Sequence, residues 1–178
     1  MQTMELSILD WIQEHVRCGA LDILMPAVSR LSDHGEIWIL LAVVLLLKGR
    51  RREGASVALA LGMDLVVCNM LLKPLIGRLR PFAVNTAVEL LLAAPVDGSF
   101  PSGHTAASFA AVFALKYSGS PLWKAAVVLA GVVAFSRLYL YVHWPSDILG
   151  GILLGFAVGW AGAKAGELLG RKEKGTKS

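Results

Sequence analysis

Cysteine is nearly missing. Cys18 and Cys68 are the only two in 178 residues; they lack the paired spacing of a disulfide framework or a zinc site, and both are expected to act as small packing residues. Charge is scarce as well, with Asp, Glu, Lys and Arg at 17% of the chain against 56% hydrophobic residues, respectively below and above the shares of an ordinary soluble domain. The amino-terminal stretch has no basic segment, and Asp10 and Glu14 interrupt its apolar residues, so a cleavable signal peptide is not expected. No internal repeat is visible. What these absences leave is a membrane protein of one domain, residues 1–178, ending in a polar basic tail at 171–178 that is expected to fray.

The apolar residues are arranged in runs of helical length. SILDWIQEHV places Ile8, Leu9, Ile12 and Val16 on one side and Asp10, Gln13 and Glu14 on the other, the pattern of a helix lying in the membrane interface. The segment at 20–34 is short for a span and carries Asp22, Pro26 and Arg30. Stronger runs follow at 37–47, 54–72, 105–115, 125–135 and 147–166. In the second of these, Asp64 and Asn69 are expected to face inward. The eleven residues at 37–47 need Glu36 or Lys48 to snorkel if they are to cover about 30 Å of hydrocarbon. The fold expected is all-α, a polytopic membrane helix bundle of six transmembrane helices with an N-terminal interfacial helix.

Between the runs, the net charge of +4 carries topology rather than an affinity for nucleic acid. Lys48, Arg50, Arg51 and Arg52 share one face of a six-helix bundle with Lys116, Lys124 and the basic tail, and the positive-inside rule makes that face cytoplasmic. Gly151, Gly155 and Gly159 form a small-residue stripe on the last helix; it fits close packing inside the bundle, with a homodimer through that helix as the other use.

Three segments reach the opposite, external face: KPLIGRLRP at 73–81, PSGH at 101–104 and SRLYLYVHWPSD at 136–147. They bring Lys73, Arg78, Arg80 and Arg137 together with His104, His143 and Asp147. Fixed cations without matching carboxylates call for an anion with several oxygens, and arginine forks suit phosphate. Ser102 stands where it can cap the following helix, whose first free N–H groups then point at an anion. The two histidines add chemistry: a neutral imidazole can attack phosphorus, a carboxylate four residues on can hold its tautomer, and the second imidazole can serve as acid. Pro145 suits the first helical position and puts Asp147 in the first turn, where the helix dipole favours a carboxylate.

Lys73 with Arg80 and Pro81 at KxxxxxxRP spacing, PSGH at 101–104, and SRxxxxxHxxxD from Ser136 to Asp147 resemble, without a departure, the three-part signature of the type 2 phosphatidic acid phosphatase (PAP2) superfamily. The resemblance implies that His143 is a nucleophile forming a phosphohistidine, that Asp147 supports it, and that His104 protonates the leaving group before water releases phosphate. It further implies that Lys73, Arg80, Ser102, Gly103 and Arg137 bind phosphoryl oxygens, and that no metal or other cofactor is needed. Arg78 lies outside the signature, and contact with substrate and a structural role both stay open for it, as for Ser136. His15 and His34 are expected to be an interfacial and a loop residue. Among the tryptophans only Trp144 is a candidate substrate contact; Trp11, Trp38, Trp123 and Trp160 are expected to anchor at the interface.

These features favour a phosphatase of the inner (plasma) membrane that cleaves a lipid phosphate or pyrophosphate on the extracytoplasmic side, undecaprenyl pyrophosphate first and phosphatidylglycerophosphate or phosphatidic acid next. A vanadium haloperoxidase has a similar anion site but is a larger soluble protein. An anion or lipid-phosphate transporter without turnover uses the same cations, but a midplane site and a repeat are expected of it.

Overall fold

The computed structural model describes residues 2–175, with side chains as far as Leu168. Among these residues there is no strand. The helices are α1 (Gln2–His15), α2 (Gly19–Arg30), α3 (Glu36–Leu47), α4 (Arg51–Asp64), α5 (Lys73–Ile76), α6 (Pro81–Val84), α7 (Gly103–Tyr117), α8 (Trp123–Tyr139) and α9 (Pro145–Gly175), with a π-helical segment, Leu65–Leu72, joining α4 to α5. Helix α9 thus runs into the basic tail as far as Gly175, where the sequence pattern predicts fraying; residues 176–178 of that tail lie outside the described residues.

Two helical stretches, Arg51–Val84 and Pro145–Leu168, are each long and apolar enough to cross a membrane, and α3 is a shorter apolar helix. At 1.5 Å per residue the 15 residues of α7 rise about 22 Å and the 17 of α8 about 25 Å, short of the roughly 30 Å of hydrocarbon. Large apolar side chains turn outward along these helices: Leu40, Leu47, Met70, Leu75, Val128, Leu149 and Leu153 are all more than half exposed. A belt of this kind is what acyl chains, rather than water, cover.

The centre of the bundle is α9 packed on α7 and α4, with α3 and α8 outside them. Small residues allow the close approach. A Cβ on Gly155 would stand 2.8 Å from both Ala106 O and Ala110 N, and one on Gly159 would stand 2.7 Å from Ala110 O, so the glycine stripe is taken up against α7. Its far end meets α4, where a Cβ on Gly162 would stand 2.7 Å from Ser56 O. Val57, Ala60, Ala110, Ala111, Ala114 and Leu115 fill the resulting core, and Trp38 is buried among them with its Nε1 donating to Ser108 Oγ at 2.9 Å. Trp38 is therefore a core residue and not the interfacial anchor its place near a helix end predicts. Cys68 is buried, but Cys18 is exposed between α1 and α2, because the chain turns there at the surface; it is not the packing residue expected.

The π segment departs from the uninterrupted α-helix expected over 54–72, and it has a geometric consequence. Nine residues separate Asp64 from Lys73, which in an α-helix amounts to about 180° of rotation. A π-helix, with i→i+5 bonds, turns less per residue than an α-helix and brings the two back toward one side, so that both line the same cavity. The long connection after α6 is also less open than its turn residues predict. Leu90, Leu91 and Leu92 pack with Phe82 over Tyr139, Leu140 and Val142, the residues that lead into His143.

Candidate active site

Each cation of the site sits where a helix ends or begins. Lys73 opens α5, whose last turn closes at Gly77 in a left-handed conformation (φ 56°), freely open to glycine. Arg80 is the extended residue before Pro81 opens α6, as the residue ahead of a proline must tend to be. Arg137 lies in the last turn of α8, and His143 lies in the loop between α8 and α9. Ser102 caps α7 as expected, its Oγ accepting from Thr105 N at 3.5 Å and from Thr105 Oγ1 at 3.0 Å.

Around His143 the contacts fix a tautomer. Arg80 Nη1 stands 3.3 Å from His143 Nε2, while His143 Nδ1 lies 3.4 Å from Asp147 Oδ2. A guanidinium can only donate, so Nε2 is the bare nitrogen and Nδ1 carries the proton toward the carboxylate. Burial, and then the cations of Arg137, Arg80 and Lys73, push the His143 pKa well below the ordinary imidazole value. The ring is thus neutral at neutral pH, with its free lone pair on the side of the arginine. Asp147 Oδ2 also accepts from Trp144 N at 2.8 Å, in the first turn of α9 where the sequence places it.

The arginines are buried and oriented. Arg80, 4% exposed, donates from Nε to Asp97 O at 2.9 Å, from Nη1 to Val142 O at 2.8 Å and from Nη2 to Asp97 Oδ1 at 2.6 Å. Arg137 donates from Nη1 to Ser29 Oγ, and its buried Nε has no protein partner, an open donor of the kind that needs a reason. Lys73 forms an ion pair with Asp97. Burial pushes the Asp97 carboxyl up, but the Lys73 ammonium and the Arg80 guanidinium outweigh it and hold the pKa down to about 2.

Lys73, Arg80, Arg137, His143, His104 and Gly103 all line one cavity of about 950 Å³. The cavity does not stop at these groups. It continues between α3 and α4 over Ile39, Val43, Leu46, Ala58, Leu61 and Leu65. Ile39, Val43 and Leu46 form one stripe of α3 and are each at least 40% exposed, so the groove is open along its side. From Gly35 to Leu46 it follows α3 for about 16 Å. Gly103 leaves the polar end free: a Cβ there would stand 3.2 Å from Asn69 Oδ1 and 3.6 Å from Lys73 Nζ.

Residues 53–169 match the model of the PAP2 superfamily, well over half of the chain. The chain belongs to the PAP2 superfamily. This PAP2 chain is 35% identical over 129 residues to the undecaprenyl-diphosphatase of Sulfolobus acidocaldarius, an alignment covering 70% of it and 62% of that relative; it thus spans about three-fifths of the relative's length. It is 36% identical over 141 residues to the decaprenylphosphoryl-5-phosphoribose phosphatase of Mycobacterium tuberculosis, covering 74% of this chain and 73% of the other. Among solved structures, it superposes on the transmembrane PAP2 type phosphatidylglycerolphosphate phosphatase of Bacillus subtilis with a TM-score of 0.71 at 26% identity, covering 97% of this chain and 86% of that one. The PAP2 chain is accordingly a membrane protein of the lipid-phosphatase fold.

Of the residues the motifs single out, Lys73, Arg80, Gly103, His104, Arg137 and His143 share the cavity, with Asp147 behind His143. Ser102 is buried and does not reach the cavity wall. Trp144 is not the substrate contact it was a candidate for: it is fully buried and its Nε1 donates to Leu79 O at 2.8 Å. His34 pairs with Glu36 and His15 stacks on Trp11, a loop and a surface role. Asp64 is buried and Asn69 opens into the cavity. Sequence reasoning missed Asp33, whose Oδ1 lies 3.0 Å from His104 Nε2, and Asp97, which holds two of the cations. Asp33 lies in LSDHG and Asp97 in VDGS, stretches that read only as turns.

Proposed function

We propose that the chain is a metal-independent phosphatase of lipid phosphates or pyrophosphates, acting through a phosphohistidine on the extracytoplasmic face of the inner membrane, which it crosses six times. The observation that carries this reading is the continuity of one cavity, from the bare Nε2 of His143 among three fixed cations to an apolar groove open along α3. A phosphoryl group at the polar end is met by Lys73, Arg80 and Arg137, and the hydrocarbon attached to it lies in the groove with its remainder in the bilayer.

The chemistry follows from those positions. His143 Nε2 attacks phosphorus; the bond from phosphorus to the leaving oxygen breaks, and His104 gives that oxygen a proton. Charge on the equatorial oxygens is balanced by the arginines and by the first-turn N–H groups of α7 behind Gly103. Asp147 holds the Nδ1 proton and stabilises the positive charge that forms on the ring. Water then attacks the phosphohistidine, His104 takes a proton from it, and phosphate leaves with neutral His143 restored. Asp33 orients His104 as Asp147 orients His143.

A polyprenyl pyrophosphate is the substrate favoured, because both curated relatives described above are named for polyprenyl substrates and a slot open at its side suits a chain too long to enclose. The test is phosphate release by purified protein in EDTA from undecaprenyl pyrophosphate, phosphatidylglycerophosphate and phosphatidic acid, with His143→Ala alongside. Release from the first exceeding the others, and abolished in the variant, is the expected result. Turnover unaffected by His143→Ala overturns the mechanism, and a preference for a glycerolipid overturns the substrate assignment.

A further inference from the structure

The amino-terminal helix reaches the catalytic loop at four places. Leu9 is fully buried against Tyr141 and Trp144, Gln13 Nε2 donates to Tyr139 O at 2.8 Å, and Asp10 Oδ1 accepts from Tyr141 OH at 2.5 Å. Tyr141 has φ 59°, a left-handed backbone that a bulky residue adopts only when its surroundings hold it there. The fourth contact is ionic. Glu5, 8% exposed, accepts from Ser146 N at 2.8 Å through Oε1 and from Arg78 Nη2 at 2.8 Å through Oε2. The same guanidinium, 5.2 Å above the Trp144 ring, donates from Nη1 to Asp147 Oδ1 at 2.6 Å and to Ser146 Oγ at 2.6 Å.

Asp147 is therefore held by both of its oxygens. Oδ1 is fixed by Arg78, which leaves Oδ2 for Trp144 N and for His143 Nδ1. Arg78 is fixed in turn by Glu5. We propose that Glu5 and Arg78 are positioning residues for phosphoryl transfer, a buried carboxylate–guanidinium pair through which α1 sets the rotation of the Asp147 carboxylate against the nucleophilic imidazole. The proposal rests on the phosphohistidine reading above. Neither residue lines the cavity, so neither touches substrate, and their effect belongs in turnover rather than in binding. A planar guanidinium holds two carboxylates in a fixed geometry through Nη1 and Nη2, whereas an ammonium is a point charge on a flexible stem and fixes neither orientation.

The experiment measures phosphate release from farnesyl pyrophosphate in detergent micelles by the full chain and by Glu5→Gln, Arg78→Met, Arg78→Lys, the double variant Glu5→Gln/Arg78→Lys, and His143→Ala. Expected is a fall in kcat on the order of tenfold in Glu5→Gln and in each Arg78 variant, the scale of a small misplacement of a catalytic group, with KM within about twofold. The double variant is expected to be no worse than Arg78→Lys alone, since Glu5 acts through Arg78. Arg78→Lys keeps charge and bulk, so it provides a folded protein if Arg78→Met melts early. The acid limb of the pH profile adds a readout that loosened packing does not move. His143 is faced by Asp147 on α9 and by Arg137 on α8, His104 on α7, Lys73 on α5 and Arg80 just before α6. In Arg78→Met the Asp147 charge is left for the imidazolium to balance, and the limb moves to higher pH. Wild-type kcat in Glu5→Gln and Arg78→Lys with His143→Ala inactive overturns this proposal alone, as do losses that multiply in the double variant. Activity persisting in His143→Ala overturns the phosphohistidine reading instead.

Discussion

Asp97 pairs with Lys73 and Arg80, the groups that the proposed function assigns to a phosphoryl oxygen, and its removal is expected to tighten anion binding. The carboxylate is 47% exposed and pairs with Arg80 Nη2 at 2.6 Å and with Lys73 Nζ. A half-exposed ion pair is worth about 0.5 kcal/mol after screening, so the two together hold about 1 kcal/mol that an incoming anion must displace. In Asp97→Asn the charge of that competitor is gone, while Arg80 Nε keeps its bond to the backbone carbonyl at position 97. About 1 kcal/mol is roughly a fivefold change in affinity. The assay is the inhibition constant of orthovanadate, a phosphate mimic, against turnover of a fluorescent lipid phosphate. With the Asp97 pKa held down to about 2, below the unfolded carboxylate near 3.9, the pair is fully formed above the unfolded value and is lost only as pH falls through the folded one. The roughly fivefold ratio of variant to wild type is therefore expected to be flat between about pH 5 and pH 9. A weaker inhibition constant in the variant, or a ratio that varies across that range, refutes the reasoning and makes Asp97 an organiser of the cradle instead of its competitor.

Asp33→Asn is expected to slow alkyl phosphates by on the order of tenfold and p-nitrophenyl phosphate hardly at all, because only the alkoxide needs the His104 proton; equal losses on both substrates refute the role given to that pair. Gly155→Val forces a Cβ to within 2.8 Å of Ala106 O and Ala110 N, and overpacking of that kind costs about 1–3 kcal/mol, to be read as a lower Tm in detergent; an unchanged Tm means that α7 and α9 can separate cheaply. Val96→Cys, at a fully exposed position of the long connection, is expected to react with an impermeant maleimide on intact cells. That labelling needs a Cys18→Ser background, since Cys18 is itself exposed, and reaction only after permeabilisation reverses the orientation.

The apolar helices and the polar residues that share the cavity were legible because each depends on local pattern. Apolar runs mark α3, α4 and α9, and Lys73, Arg80, Gly103, His104, Arg137 and His143 announce themselves through residue type and spacing. What stayed hidden depends on contacts between distant segments. Asp33 and Glu5 lie 71 and 73 positions from the His104 and Arg78 they meet, and nothing in their own neighbourhoods distinguishes them from solvent-facing carboxylates. Trp38 reads as an amphipathic anchor and Trp144 as a substrate contact, but each finds a buried partner for its N–H, Ser108 Oγ and Leu79 O, and so can go inside. The π segment has no signature of its own either, since Leu65–Leu72 simply continues the apolar run that begins at Gly54; the register change shows only in where Asp64 and Lys73 end up.

The span of the Glu5 contact bears on biogenesis. Glu5 meets Ser146 across 141 residues, so a nascent chain exposes one half of the clamp long before the other half has been made. Until α9 is inserted, Glu5 and Arg78 have no Asp147 or Ser146 to complete their network, and buried polar groups left in that state are costly. Closure of α1 onto the start of α9 is then expected late in membrane assembly, with loop-closure entropy against it. On the phosphohistidine reading, Asp147 and the imidazole of His143 come into register only at that step, so turnover is expected of the fully inserted chain alone.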